Sequence, residues 1–194
     1  MAIDRARVEA AVAEIVLAIG EDPARPGLVA TPSNVANAYE EFFSGVNVNP
    51  LEFLGETFEV EAGPTSRPGE LVILRDIIFR SVCEHHLLPF TGRAHLAYVP
   101  RARVVGLGRL PRVVDTLASR PQVQERLTEE IASAIDTGLD PEGVLVVLDG
   151  SHSCVTTRSS RQADSTTVTL ASRGTLSDPA RRSEVLTLIG APHD

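Results

Sequence analysis

The order and periodicity of the apolar residues predict an α+β protein built on a mainly antiparallel sheet. Apolar side chains recur at helical spacing in two segments before residue 45 and again between residues 123 and 135, while runs rich in β-branched residues lie between and after them. Helices and strands therefore come in blocks, without the strict strand–helix alternation of a parallel α/β sheet. The chain reads as an N-terminal helical segment, residues 1–50, followed by a sheet domain, residues 51–194.

The first helix is marked by Val8, Val12, Ile15, Val16 and Ile19 and stops near Gly20. Thr31-Pro32 is a helix start, with Thr as the expected N-cap and Pro at the first helical position; Val35, Ala38, Tyr39, Phe42 and Phe43 make one apolar face before Gly45. Residues 57–62 and 71–80 read as strands separated by a turn-rich loop at 63–69, and residues 93–99 as a third strand closed by Pro100. Val123, Leu127, Ile131 and Ile135 return to helical spacing and end at Gly138. The apolar run 144–148 is a buried strand leading straight into Ser151-His152-Ser153-Cys154, and residues 165–171 form another β-rich segment. Asp178-Pro179 begins a last solvated helix that carries Arg181 and Arg182.

Composition narrows the setting. A chain of 194 residues with 43% hydrophobic side chains fits one domain with a substantial core. Its net charge of −8 argues against a general nucleic-acid binder, which needs a basic face. There is no run of about 18 apolar residues and no signal-peptide pattern at the start, so a cytoplasmic protein without a membrane partner is expected. In a reducing compartment, two cysteines point to metal binding or catalysis more than to a disulfide.

Those two cysteines sit in the words Cys83-Glu84-His85-His86 and His152-Ser153-Cys154. Zn²⁺ takes thiolate and imidazole ligands, and a catalytic site keeps three of them so that water can hold the fourth position. Cys83, His86 and Cys154 supply such a set. A tight or helical turn can bring Cys83 and His86 to one ion, while Cys154 arrives from a distant segment. If His152 and Cys154 lie on a strand, the period of two turns both to one face, placing an imidazole beside the ion. His85 is a second candidate for proton transfer. Spacing alone leaves open an alternative of two buried free cysteines and some surface histidines.

Gly20-Glu21-Asp22-Pro23, Thr31-Pro32, Phe43-Ser44-Gly45, Cys83-Glu84-His85-His86, Arg120-Pro121-Gln122-Val123-Gln124-Glu125-Arg126-Leu127 and His152-Ser153-Cys154 together resemble the GTP cyclohydrolase I family. The likeness runs in order from about Gly20 to Gly174. It implies the tunnelling fold, with sheets joined edge to edge in a ring, a homo-oligomer of two stacked pentamers, and active sites between subunits. It also implies that Cys83, His86 and Cys154 bind Zn²⁺, and that His152 protonates a ring nitrogen of a guanine nucleotide while His85 moves protons later. Glu125 would then accept hydrogen bonds from the guanine N–H groups with Gln124 nearby, and Arg109, Arg112 and Arg158 would meet the phosphates. Outside the surrounding motif, Glu125 would read as a solvated charge on an amphipathic helix.

The departures from that family are also informative. Gly108-Arg109 stands where the family pattern has Ser-Lys, and Asn34 and Asn37 stand where Arg and Lys are expected. After Cys154, the word Val155-Thr156-Thr157-Arg158-Ser159-Ser160 replaces the usual methionine-rich and Arg-Gly words. These changes admit an ordinary member of the family. They also admit a divergent paralogue that takes fewer phosphates or stops after ring opening, or a zinc-stabilised scaffold without turnover. His95 is expected on a strand surface and His193 in a tail, neither with a role.

Overall fold

A computed structural model of the chain describes residues 3–59, 69–158 and 162–191. Helix α1 (Arg5–Ala18) starts at Asp4, whose carboxylate accepts from the Arg7 N–H. Val12 and Val16 are buried, but Ile15 and Ile19 of the expected apolar face are exposed. Helix α2 (Thr31–Phe42) packs on α1, with Arg5 Nη1 donating to Asn37 Oδ1 at 2.5 Å and to Glu40 Oε2 at 2.7 Å. The expected Thr31 cap is not made: Ala30 occupies the cap position, and the helix start rests on Pro32, whose missing N–H is one of the groups left over there.

The segment leaving α2 is fastened to the rest of the fold at Gly45. Its N–H donates to Ser119 O at 3.0 Å, and Arg120 donates to the carbonyls of Gly45 and Val48 at 2.8 and 2.6 Å. A Cβ at residue 45 would stand 1.9 Å from Thr116 O, so only glycine allows the approach. A 3₁₀ turn follows at Pro50–Leu54, and then the short strand β1 (Thr57–Glu59). The strand expected at 57–62 is described only to Glu59; its remainder and the loop at 63–68 lie outside the described residues.

Five strands form the main sheet. After β2 (Val72–Cys83) and β3 (Pro89–Val99), β4 (Arg103–Val105) turns aside to pair with β1. Helix α3 (Arg109–Ala118), the two-residue strand β5 (Pro121–Gln122), helix α4 (Gln124–Leu139), strand β6 (Gly143–His152) and strand β7 (Thr167–Gly174) complete the architecture, and the sheet order is β5-β2-β3-β6-β7. All its pairings are antiparallel except β2 with β5, as the block order of elements predicts. Helix α3, like the short strands β4 and β5, is absent from the sequence reading. It nevertheless contributes Leu110, Val113, Val114 and Leu117 to the main core.

Strand β6 shows why residues 144–148 are continuously apolar. Val144, Val146 and Leu148 face a core closed by α3 and α4, whereas Leu145 and Val147 face a second core with Ala97, Val99, Leu176 and Val185. Burial on each face contributes about 1.5–3 kcal/mol per large aliphatic side chain. The last helix, α6 (Pro179–Ile189), covers that second face; Asp178 caps its start, and Arg75 donates to carbonyls of Leu188, Ile189 and Ala191 at its end. His95 lies on β3 as expected, with Nδ1 accepting the Asp76 N–H at 3.2 Å, at an irregularity in β2 where Asp76 has φ 58°. His193 lies outside the described residues.

Candidate active site

Two chain reversals meet at one end of the sheet. Strand β2 ends at Cys83, and the chain turns back through Glu84–Leu87, with the Leu87 N–H donating to Cys83 O at 2.8 Å and that of His86 at 3.4 Å. Leu87 takes φ 51°, a left-handed conformation that costs a non-glycine residue energy and is found where a site over-determines the backbone. The turn is clamped from below. Cys83 pairs with Gln122 in parallel register, Glu84 N–H donates to Gln122 O at 3.0 Å, and Arg126 of α4 donates to the Glu84 carboxylate and to Pro121 O. The Arg126 guanidinium holds the Glu84 carboxyl below its ordinary range.

The second reversal follows β6. His152 is the last residue of that strand, paired with Phe90 of β3, and Cys154 lies in the single helical turn α5 (Ser153–Thr156). The expectation of a shared strand face for His152 and Cys154 is therefore corrected. Thr156 and Thr157 hydroxyls donate back to the His152 and Ser153 carbonyls at 3.2 and 2.6 Å, which favours a turn over continued extension.

The two turns bring one donor atom each from Cys83, His86 and Cys154 within 4.8 Å of one another, with Cys83 Sγ 4.0 Å from His86 Nδ1. Zn–S and Zn–N bonds of about 2.3 and 2.0 Å in tetrahedral array separate S from N by about 3.5 Å, so this set closes on an ion with small adjustments. The donor chemistry fits as well. Burial, followed by the Cys83 thiol beside it, pushes the Cys154 thiol up, and a dication is the charge that would reverse this. Cys83 is buried and His86 exposed, which leaves the cluster open on one side for a water or substrate atom.

Around this cluster the structure gathers most of the remaining candidates. The His152 ring stacks on Phe90, and burial pushes its pKa down against the opposing influence of the Gly150 backbone and the Glu125 carboxylate. His85 is exposed and stands edge-on to His86, with Nε2 3.8 Å from Glu84 Oε1. Glu125 is exposed at the first turn of α4, and Arg158 is close enough to bear electrostatically on Cys154. Gln124 is placed differently from its neighbour. It is buried, the two protons of its Nε2 are shared among Leu148 O, Thr167 O and Thr169 Oγ1, and its Oε1 is without a partner among the described residues.

The phosphate candidates on α3 have partners in the 50s segment. Arg109 pairs with Glu56, and Arg112 stands over the Phe53 ring at 5.4 Å. Asn37, one of the positions lacking an expected cation, is spent on Arg5 of α1. Two residues escaped the sequence reading. Arg126 was detectable as the neighbour of Glu125 in the same motif, but Phe90 becomes significant only through strand register, which spacing along the chain does not reveal.

The family described as GTP cyclohydrolase I matches residues 8–190. The chain is 61% identical over 187 residues to GTP cyclohydrolase 1 of Leifsonia xyli, 96% of each chain being covered. It is 50% identical over 188 residues to GTP cyclohydrolase 1 of Rhodopirellula baltica, covering 96% of this chain and 80% of that one, and 48% identical over 189 residues to GTP cyclohydrolase 1 of Clostridioides difficile, covering 96% and 97%. Similarity that is nearly end to end at such identities leaves one assignment: this chain belongs to the GTP cyclohydrolase I family.

Proposed function

We propose that the protein is a zinc-dependent GTP cyclohydrolase I, opening the imidazole ring of GTP at C8, releasing that carbon as formate and closing 7,8-dihydroneopterin triphosphate. The observation that carries the reading is the convergence of the Cys83, His86 and Cys154 donors with His152 and Glu125 in a chain so similar to GTP cyclohydrolase 1 proteins.

Bound zinc supplies Lewis acidity that makes water a competent nucleophile near neutral pH. His152 donates a proton to a nitrogen of the five-membered ring, which draws electron density from C8 and opens it to attack. Two features of this chain suit that task. Burial makes the imidazolium a stronger acid than free histidine, and the flat Phe90 face fixes the plane from which the proton leaves. His85, exposed at the rim, moves protons in the later sugar rearrangement. Glu125 accepts from two adjacent guanine N–H groups; a base lacking one donor leaves part of that carboxylate unpaired, and this sets specificity. Arg158, Arg109 and Arg112 meet the phosphates through charge-assisted hydrogen bonds.

The ring assembly belongs to the same proposal. Strand β7 is the outer strand of the sheet, with Val168 and Leu170 exposed, and an apolar edge of this kind favours pairing with a second copy. Joined in that way, the sheets form the ring of the tunnelling fold, and two stacked pentamers place each site between subunits.

Incubating zinc-loaded protein with GTP, GDP, GMP and guanosine and identifying products by mass tests the reading. Formate together with a dihydropterin from GTP is the expected result. A ring-opened pyrimidine as the end product, or no turnover of any nucleotide, overturns it.

A further inference from the structure

Gln124 begins and ends a closed ring of hydrogen bonds that runs from its side-chain amide to its own main-chain carbonyl. Its Nε2 donates to Thr169 Oγ1 on β7 at 3.1 Å, the hydroxyls of Thr169 and Thr128 are 2.6 Å apart, and Thr128 Oγ1 donates to the Gln124 carbonyl at 2.7 Å. A hydroxyl has one proton to give. Since the Thr128 proton goes to Gln124 O, Thr169 must supply the proton between the two hydroxyls, so the ring runs in one sense only.

That direction also fixes the amide. Leu148 O and Thr167 O lie 3.2 and 2.7 Å from the same nitrogen, whose two protons are shared among these carbonyls and Thr169 Oγ1, and a flipped amide would turn its oxygen towards two carbonyls. The true oxygen is forced towards Gly150, where an added Cβ would come within 2.4 Å of it, just before His152 on the same strand. Thr128 and Gln124 are both almost fully buried, although valine would fill the place of Thr128 without needing polar partners. The ring links the first turn of α4 to β7, and Leu148 O adds β6. Glu125 is the next residue along that turn, and Arg126 after it is tied to Glu84 on the metal-site side.

We infer that Thr169 and Thr128 are positioning residues for base recognition: by fixing Gln124 they lock the first turn of α4 so that the Glu125 carboxylate is held against the guanine edge. This rests on the reading of Glu125 given above. A carboxylate discriminates between guanine and a base with one fewer N–H donor only while it is held; once free to swing, it pairs equally well with either.

The test compares kcat/KM, read as formate release, for GTP and for ITP, whose base lacks the 2-amino group. Thr169→Val keeps the branched shape of the strand residue and removes the hydroxyl. It is expected to lower the GTP-to-ITP ratio by about tenfold, mainly through KM for GTP. Thr169→Ser restores the hydroxyl and the ratio, and Thr128→Val, which opens the ring elsewhere, shifts the ratio in the same direction. Zinc content is expected to stay at the parent level in all three. Equal losses on both nucleotides, or an unchanged ratio, overturn the inference and leave the threonines as packing. Glu125→Gln separates the two levels of the argument. If it collapses the ratio while the threonine variants do not, only the positioning role fails; if parent and Glu125→Gln discriminate equally, the Glu125 reading fails and takes the inference with it.

Discussion

His152 lies flat on Phe90, with ring centroids 4.6 Å apart and planes within 6° of parallel. The contact follows from the β3–β6 register, which sets the two residues directly opposite each other, and it gives a histidine at a strand end an orientation that the chain alone would not hold. Phe90→Leu retains apolar volume but loses the flat face. We expect kcat for GTP to fall by about tenfold, with zinc content unchanged, because the misdirected group is the one proposed to transfer the proton. Metal analysis and steady-state kinetics on the same preparation check this; a loss of zinc with the loss of rate would make Phe90 a support of the metal turn instead.

Removing a ligand should behave differently. Cys154→Ser and His86→Ala each take one donor from a three-donor set, and both are expected to lose zinc and activity together after dialysis. His152→Ala is expected to keep zinc and lose ring opening by a factor on the order of 10² to 10⁴. His85→Ala also keeps zinc, with its block later in the sequence of steps. Zinc loss in His152→Ala would show a ligand mistaken for an acid.

Much of the site was legible because zinc chemistry restricts residue types so strongly. Cys83, His86 and Cys154 stand out in a chain with two cysteines, and the structure does bring their donor atoms together. The route to that meeting was less legible. Cys154 was expected on the strand of His152, but the side chains of Thr156 and Thr157 offer the backbone the bonds of a helical turn instead. Helix α3 is not assigned from the sequence, where residues 106–112 are weighed only against the family pattern; Pro111 falls in its first turn, where no intrahelical N–H is lost. The Thr31 cap failed for a related reason, since Pro32 was itself enough to begin α2. Gln124 and Glu125, adjacent in sequence and expected to act together, point respectively into the sheet and out of it, because neighbouring residues on a helix diverge by about 100°.

A pH effect on stability is expected at His95. Burial lowers its pKa from the ordinary 6.5; Asp76 and Asp149 oppose this, and Arg93 and Arg75 add to it. Its Nδ1 must also be unprotonated to accept the Asp76 N–H. With the folded pKa below the unfolded one, only the unfolded chain takes up a proton in the interval between them. The stabilisation is therefore complete above pH 6.5 and is lost as pH falls through the folded value. His95→Asn retains an acceptor near the Nδ1 position but cannot titrate. Urea midpoints measured from pH 8 down to 5 should fall more steeply for the parent than for this variant, and identical slopes would exclude His95 as the cause.

The last expectation concerns the phosphates. Asn37, where a cation was expected, accepts from Arg5, and that guanidinium also serves Glu40 and stands 3.5 Å from Glu9, so the Arg5 charge is already met by two carboxylates. On the proposed reading Arg109, Arg112 and Arg158 are left to meet the phosphates, and Arg109 is already engaged by an exposed Glu56 that a phosphate would have to displace. A charge-assisted contact in a closed anion pocket is worth about 1.5–3 kcal/mol, so two missing cations weaken the hold on the outer phosphates far more than the hold on the base. The parent should therefore prefer GTP over GMP by less than about a thousandfold in kcat/KM, and Asn34→Arg with Asn37→Lys should raise that preference by at least about tenfold, equivalent to about 1.4 kcal/mol. The gain should shrink with added salt, since it comes from charges near the surface. A parent preference well above a thousandfold would show that the remaining arginines already suffice, and would leave Asn37 with its contact to Arg5 of α1 alone.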